Sequence, residues 1–181
     1  ESEFESCFKR FIDQTKRRVL YCADDERASR LCEQRPIARS YGFSAGADLQ
    51  GELSAHAGGG ELRVLLAGEE LGILPLSIPG RHNALNALAA IGVCLELGVP
   101  FGALAAAVSG ICLPKRRFEV VARDGGVTVV SDYAHHPSEI AALVQTAKQQ
   151  HKGRLLAVFQ PHRFTRTRAL GPGFPPAFAG V

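Results

Sequence analysis

The chain has 181 residues, 46% of them hydrophobic, which is enough to bury the core of one large domain or two small ones. Its 21 Lys and Arg residues against 18 Asp and Glu residues give a formal net charge of +3, too small to favour nucleic acid or a membrane surface as a partner. Five cysteines without a Cys-x-x-Cys pair disfavour a disulfide framework. We therefore expect a cytoplasmic globular protein that contacts neither nucleic acid nor a membrane. Its composition gives no indication of the oligomeric state.

The two ends of the chain look like the interior of a longer sequence. Methionine is absent, the first residues already follow a helical pattern, and residues 177–181 carry no polar tail or capping signal. No apolar run reaches the roughly 18 residues needed to cross a bilayer, and the N-terminus has no signal-peptide pattern. These features predict a fragment of a protein that is neither secreted nor inserted in a membrane.

The first half of the chain predicts helices and strands in turn. Apolar residues at helical spacing over 4–12 predict a surface helix, and the run 19–23 predicts a buried strand followed by a helix near 28–32. Short alternating runs from 37 to 78, broken by glycine turns, predict hairpin strands. Residues 82–97 then predict a long helix that ends at a glycine cap.

A change of pattern over residues 110–118 predicts the domain boundary. This segment combines a helix stop, a proline and three consecutive cations, after which strand patterning resumes. We therefore divide the chain into domains 1–113 and 114–181.

The second domain begins with a predicted hairpin, 118–122 and 127–132, around a glycine turn. A helix over 137–150 and an apolar strand over 155–160 follow. Strand, helix and strand in this order predict a βαβ unit, in which the two strands are parallel and end at the same edge of the sheet.

Polar side chains gather at that edge, where ligands bind in open α/β sheets. They are one carboxylate, three imidazoles and three guanidiniums: Asp132, His135, His136, His162, Arg163, Arg166 and Arg168. Arginine forks bind carboxylates and phosphates, so this edge predicts a site for an anionic ligand. An arginine run is most often a solvated face, and an Asp at a strand end is often only a helix cap, so the residues alone also allow these two interpretations. Adjacent histidines without a cysteine partner disfavour a metal site.

A second candidate site is the Pro-Gly turn that precedes the long helix of the first domain. Asn83 lies at the predicted helix start, where an amide can read an adenine edge through its donor and acceptor. Capping of the helix by Asn83 is an equally good interpretation of the local sequence.

With these residues in view, the chain resembles the Mur ligases, the ATP-dependent amino-acid ligases of peptidoglycan synthesis. Three blocks carry the resemblance: Pro-Gly-Arg-His-Asn-Ala-Leu-Asn at 79–86, Lys-Arg-Arg-Phe at 115–118 and Asp-Tyr-Ala-His-His-Pro-Ser-Glu at 132–139. A fourth, Phe-Gln-Pro-His-Arg-Phe-Thr-Arg-Thr-Arg at 159–168, resembles the alanine-adding branch of the family.

The resemblance implies an α/β fold: a partial P-loop-type central ATPase domain followed by the first half of a Rossmann-like C-terminal domain. It also implies a reaction. ATP phosphorylates the carboxylate of UDP-N-acetylmuramate, and the amine of L-alanine attacks the acyl phosphate to give an amide, ADP and phosphate. The implied cofactors are ATP and Mg²⁺, the ion bridging phosphate oxygens.

The resemblance also assigns residues. It places His82, Asn83 and Asn86 around the adenine, Arg117 near the nucleotide phosphates and Asp132 on the ribose hydroxyls. It assigns the alanine carboxylate and the orientation of the alanine amine to a second group: His135, His162, Arg163 and Arg166. No residue of this chain is expected to be a metal ligand.

The chain departs from the family pattern at two places, and two alternative functions stay open. No G-x-x-x-x-G-K-[ST] motif occurs, so we expect the chain by itself to be inactive for want of the phosphate loop. The Gly-Pro-rich segment 171–176 also replaces what the family usually continues as an acidic helix. The nearest rival is the murein-peptide recycling ligase of the same family. A non-catalytic nucleotide- or RNA-binding module, resting on the arginines at 163, 166 and 168, is the rival from another class.

Overall fold

The structure, a computed structural model, describes residues 3–181. Seven α-helices and seven β-strands are formed over these residues, with a short 3₁₀ turn at 171–173. The elements in chain order are α1 Glu3–Gln14, β1 Val19–Cys22, α2 Glu26–Cys32, β2 Ala38–Gly42, β3 Leu49–His56, β4 Gly59–Leu66, β5 Glu69–Leu76, α3 Arg81–Glu96, α4 Phe101–Ser109, β6 Glu119–Asp124, β7 Val127–Ser131, α5 Pro137–Gln150, α6 Phe164–Leu170 and α7 Phe174–Ala177. Within this range no helix is both long and apolar enough to cross a membrane.

The first five strands form one mixed sheet in the order β1-β2-β3-β4-β5. β3, β4 and β5 are antiparallel, as the glycine turns predicted. The hairpin prediction was wrong for β2, which is parallel to both neighbours. The helix α2 returns the chain between β1 and β2, as parallel pairing requires. The link to β3 stays short because only the end of β2 pairs with the start of β3, at Tyr41 and Gly42.

The main hydrophobic core lies between this sheet and helices α3 and α4. Leu62 and Val64 alternate with exposed residues along β4, and both are fully buried. Leu88 and Ile91, one helical turn apart on α3, bury the facing side of that helix. The core therefore fixes α3 on the sheet, and with it the Pro-Gly turn at the start of α3.

The second half of the chain departs from the predicted βαβ unit. β6 and β7 form the expected hairpin, and α5 has the predicted bounds. The predicted strand over 155–160 was wrong, because this segment is not hydrogen-bonded into a sheet. It lies near β7 but is separated from it by a cavity of about 350 Å³.

The burial of the 155–160 segment explains why the strand fails to form. Leu155 and Phe159 pack against the α5 cluster, whereas Leu156 and Val158 are 76% and 104% exposed. A parallel strand needs cover on both faces of its sheet, and within residues 3–181 only one face of this segment is covered.

The Gly-Pro-rich tail supplies part of the cover that this half has. The rings of Phe174 and Phe178 lie 5.5 and 5.4 Å from the ring of Phe159. Ala177 is buried with Ile140 of α5. The tail therefore closes a small apolar cluster over α5.

Candidate functional site

The start of α3 approaches the second half of the chain through Gly80. This residue has φ = +97°, and a Cβ here would lie 2.7 Å from Oγ1 of Thr146 on α5. Glycine is therefore required both by the backbone conformation and by the closeness of α5. The Pro-Gly turn consequently places the first residues of α3 at the junction between the two halves.

The two asparagines predicted at the adenine occupy different environments. Asn83 is 7% exposed, and its amide Nδ2 donates a hydrogen bond to the carbonyl of Pro79 at 2.7 Å. It therefore stabilises the turn before α3, but the capping interpretation was wrong, because the N-cap residue is Gly80 and no side chain caps this helix start. Asn86 is exposed on the same helix. The assignment of both amides to the adenine stays a prediction.

Three predicted nucleotide residues from three sequence blocks lie within electrostatic reach of one another: His82, Arg117 and Asp132. Loss of hydration by crowding lowers the pKa of His82, and the positive charge of Arg117 lowers it further, whereas the Asp132 carboxylate acts in the opposite direction. The structure therefore brings the helix start, the interdomain linker and the end of β7 together.

The linker is held in an unusual conformation around Arg117. Its neighbours Arg116 and Phe118 have φ of +61° and +46°, values that non-glycine residues rarely adopt. The backbone N–H of Phe118 donates to Oδ2 of Asp132 at 2.7 Å, and the N–H of Tyr133 donates to the carbonyl of Arg116 at 2.8 Å. Oδ1 of Asp132 accepts from Ala134 N at 2.7 Å.

Asp132 therefore has a role that the sequence did not reveal. Its carboxylate fixes the linker to the end of β7, and each oxygen keeps a lone pair for a further donor such as a ribose hydroxyl. Beside the linker is a cavity of about 380 Å³, bounded by the 77–79 turn, residues 111–115 and Arg117. Two cations and one carboxylate line it, Lys115, Arg117 and Glu119.

The loop after β7 is organised by Glu139, a residue for which the sequence predicted no role of its own. Its Oε2 accepts the backbone N–H groups of His135 at 3.0 Å and His136 at 3.1 Å, and it forms a capping box at the start of α5. Burial would raise the pKa of Glu139, but these hydrogen bonds and the charges of His135 and Arg117 outweigh it, so the pKa is lowered.

The predicted amino-acid residues of the fourth block make their contacts within their own segment. Nη2 of Arg166 donates to the carbonyl of His162 at 2.7 Å, and Arg163 precedes α6 with φ = +72°. No hydrogen bond or ion pair in the described part of the chain joins this segment to His135. Gln160 does line the same cavity as Asp132. A pocket that unites all four residues stays a prediction.

A second group of residues missed by the sequence analysis anchors the start of α3. Arg81 lies with its guanidinium 3.9 Å from the ring centre of Phe43 and 3.8 Å from Oδ2 of Asp24. Asp24 also accepts hydrogen bonds from the backbone N–H groups of Phe43 at 2.9 Å and Ser44 at 2.8 Å. The loops after β1 and β2 therefore hold the helix that carries His82.

These contacts predict a stability loss in acid. Burial alone would raise the pKa of Asp24, but its hydrogen bonds and Arg81 lower it overall. The pKa of Asp24 in the folded chain lies below its unfolded value of about 3.9. The ionised Asp24 carboxylate therefore contributes fully to the free energy of unfolding above about pH 3.9, and this contribution is lost as the pH falls through the folded pKa. We expect Asp24→Asn to cost about 1.5–3 kcal/mol at pH 7 and to flatten the acid limb in urea unfolding. The exposed control Asp124→Asn should leave the free energy of unfolding at pH 7 and its fall in acid unchanged. If Asp24→Asn lost stability in acid as steeply as the unmutated chain, this account would be contradicted.

The described residues offer groups for one of the two implied cofactors, the nucleotide. Within 3–181 no three or more His, Cys, Asp or Glu side chains are grouped so that they could hold a metal ion. The cluster of imidazole, guanidinium and carboxylate at the linker fits a nucleotide, since it offers cations for phosphate and an acceptor for ribose.

Two family models match most of the chain. The Mur ligase middle domain matches residues 3–94, and the Mur ligase glutamate ligase domain matches residues 116–180. Between them lies the linker with its Lys-Arg-Arg-Phe block.

Curated relatives match over most of this chain. The UDP-N-acetylmuramate–L-alanine ligase of Oleidesulfovibrio alaskensis is 47% identical over 165 residues, which are 90% of this chain and 36% of that protein. The enzyme of the same name from Desulforamulus reducens is 42% identical over 141 residues, 77% of this chain and 30% of that protein. The chain thus spans about a third of the length of these relatives.

Solved structures agree with the fold. UDP-N-acetylmuramate-alanine ligase from Thermotoga maritima superposes with a TM-score of 0.78 at 30% identity, over 98% of this chain and 39% of that one. A murein peptide ligase from Psychrobacter arcticus has a TM-score of 0.60 at 23% identity, over 88% of this chain and 35% of that one, and this likeness concerns the fold alone.

Proposed function

Because the chain belongs to the Mur ligase family, we propose that it is part of a cytoplasmic, ATP-dependent ligase that joins L-alanine to UDP-N-acetylmuramate. The observation that carries this proposal is the 47% identity over 90% of the chain with a ligase of that name. The predicted fold class, an α/β fold of two partial domains, agrees with the superposition on the Thermotoga maritima enzyme. We assign residues 1–113 to the central ATP-binding domain and 114–181 to the C-terminal domain.

The nucleotide part of the proposal rests on the cluster at the linker. Arg117 contacts the phosphates, and Asp132 accepts hydrogen bonds from the ribose while it holds the linker. His82 and the two asparagines at 83 and 86 border the adenine. Mg²⁺ would be the ion that supplies charge neutralisation for phosphoryl transfer when the nucleotide is bound, and no residue of this chain is assigned as its ligand.

The amino-acid part of the proposal rests on the loop after β7 and the start of α6. Arg163 and Arg166 bind the carboxylate of L-alanine, because a guanidinium pairs with both of its oxygens. His162 completes this pocket, and His135 orients the amine. The amine then attacks the acyl phosphate of UDP-N-acetylmuramate, and phosphate leaves with the electron pair of the broken C–O bond.

A chimera tests the proposal. The homologous 165-residue segment of the Oleidesulfovibrio alaskensis ligase is exchanged for this chain. We expect ADP release that requires both UDP-N-acetylmuramate and L-alanine, and a raised KM for ATP in Arg117→Ala but not in the exposed control Arg123→Ala. The isolated chain should give no turnover above the blank.

Two outcomes would contradict the proposal or its corollary. Preference of the chimera for a murein tripeptide over free L-alanine would favour the recycling ligase. Turnover by the isolated chain would refute the expectation that the phosphate loop must be supplied by the rest of the enzyme.

A further inference from the structure

The two adjacent histidines of the loop after β7 carry the hydrogen on different ring nitrogens when their rings are neutral. Nδ1 of His135 lies 2.8 Å from the carbonyl oxygen of Tyr133. A carbonyl oxygen can only accept, so this nitrogen must carry the hydrogen. Nδ1 of His136 instead accepts the backbone N–H of Ser138 at 3.3 Å, so its hydrogen is on Nε2 when the ring is neutral.

His135 consequently keeps one nitrogen for a ligand. In its neutral ring the lone pair is on Nε2, and Nε2 forms no hydrogen bond with another of residues 3–181. The side chain is 28% exposed, so it is partly fixed by the protein and partly open to solvent. This is the arrangement of a proton acceptor whose other nitrogen is held by the protein.

Glu139 supports this arrangement from the first turn of α5. Its Oε2 lies 3.6 Å from Nδ1 of His135 and accepts the backbone N–H of the same residue. The carboxylate thus fixes the loop on which the Tyr133 carbonyl and the His135 ring face each other, and its charge favours a proton on Nδ1. Arg117 on the linker faces Glu139, and Asp132 lies in the same loop.

We propose that His135 is the base that removes a proton from the amine of the incoming amino acid, through Nε2, and that Glu139 is the residue that positions it. This rests on the function proposed above. The ammonium group transfers one proton to Nε2 and becomes a free amine. The amine forms the new C–N bond, the C–O bond of the acyl phosphate breaks, and the second amine proton leaves with the phosphate.

The tautomer can be tested on the whole 181-residue chain, independently of activity. Long-range ¹H–¹⁵N spectra at a pH where the rings are neutral should show His135 mainly with hydrogen on Nδ1 and His136 mainly with hydrogen on Nε2. His135→Gln assigns the signals by their loss. A His135 ring with hydrogen mainly on Nε2 would overturn the proposal.

Variants of α5 separate positioning from simple folding. Glu139→Ala should shift His135 towards hydrogen on Nε2, and Glu139→Gln, which keeps an acceptor for the loop, should shift it less. The matched control is Ser138→Ala on the same helical turn, which should change the His136 signals and leave those of His135 unchanged. An unchanged His135 ring in Glu139→Ala and Glu139→Gln would overturn the positioning role.

The catalytic half of the proposal is tested in the chimera with two nucleophiles. His135→Gln should lower kcat with L-alanine by about 100-fold, the lower range for a lost general base. Hydroxylamine is already unprotonated at neutral pH, so hydroxamate formation from the acyl phosphate should be nearly unchanged. Equal losses with both nucleophiles would overturn the role as base. If the chimera with His135 intact were inactive with both L-alanine and hydroxylamine, the proposed function would be overturned, and the role of His135 as base with it. The ¹H–¹⁵N spectra would still show which nitrogen of His135 carries the hydrogen.

Discussion

Asp132→Ala is expected to weaken both the fold of the second half and nucleotide binding. The substitution leaves the backbone N–H groups of Phe118 and Ala134 without their charged acceptor. Removing a charged partner from such bonds costs about 1.5–3 kcal/mol, and the free energy of unfolding measured in urea should fall by about this amount. In the chimera the KM for ATP should rise, because the linker loses its anchor and the ribose loses its acceptor.

Two variants make this result specific. Asp132→Asn keeps one carbonyl oxygen and should lose less stability than Asp132→Ala. Asp124→Ala, at the exposed hairpin end of β6, is the matched control and should change the free energy of unfolding by less than about 0.5 kcal/mol. If Asp132→Ala behaved like Asp124→Ala, the linker would be held by something other than the carboxylate.

Leu62→Ala is expected to cause the largest loss of stability. The side chain is fully buried between the sheet and α3, and a Cβ added at the facing Gly51 would lie 3.0 Å from both Leu62 and Leu88. Such close packing leaves little room for the core to collapse into the space, so we expect a loss of about 2–5 kcal/mol in urea unfolding.

The control for this substitution lies on the same strand. Leu66 of β4 is 43% exposed, so Leu66→Ala removes the same atoms from a site where water already reaches. Its loss should stay below about 1 kcal/mol. Similar losses for the two leucines would mean that the sheet does not pack against α3 as described.

Local elements were predicted well where neighbouring residues carry the signal. The helix α5 begins at Pro137 and ends at Gln150 as expected, because proline at its first position and the capping box with Glu139 mark its start. The β6–β7 hairpin was predicted from Gly125 and Gly126, whose φ of +52° and +80° suit a tight turn.

Pairing between elements was predicted less well. The β2 strand is parallel to both neighbours although its alternating pattern suggested a hairpin. The 155–160 segment has a strand-like apolar run but no pairing partner. An apolar run reports that a segment can be buried, whereas pairing depends on which other surfaces reach it.

At the candidate site too, some features follow from local sequence and others only from the tertiary structure. The sequence by itself determined the residue types: three blocks supplied His82, Arg117 and Asp132, and Pro137 marked the start of a helix. Only the tertiary structure decided that Asp132 anchors the linker and that Asp24 holds Arg81. The positions of Asp24 and Arg81 in the sequence do not show that the two side chains are close in space. Their contact exists because packing of α3 on the sheet brings the loops after β1 and β2 to the start of that helix.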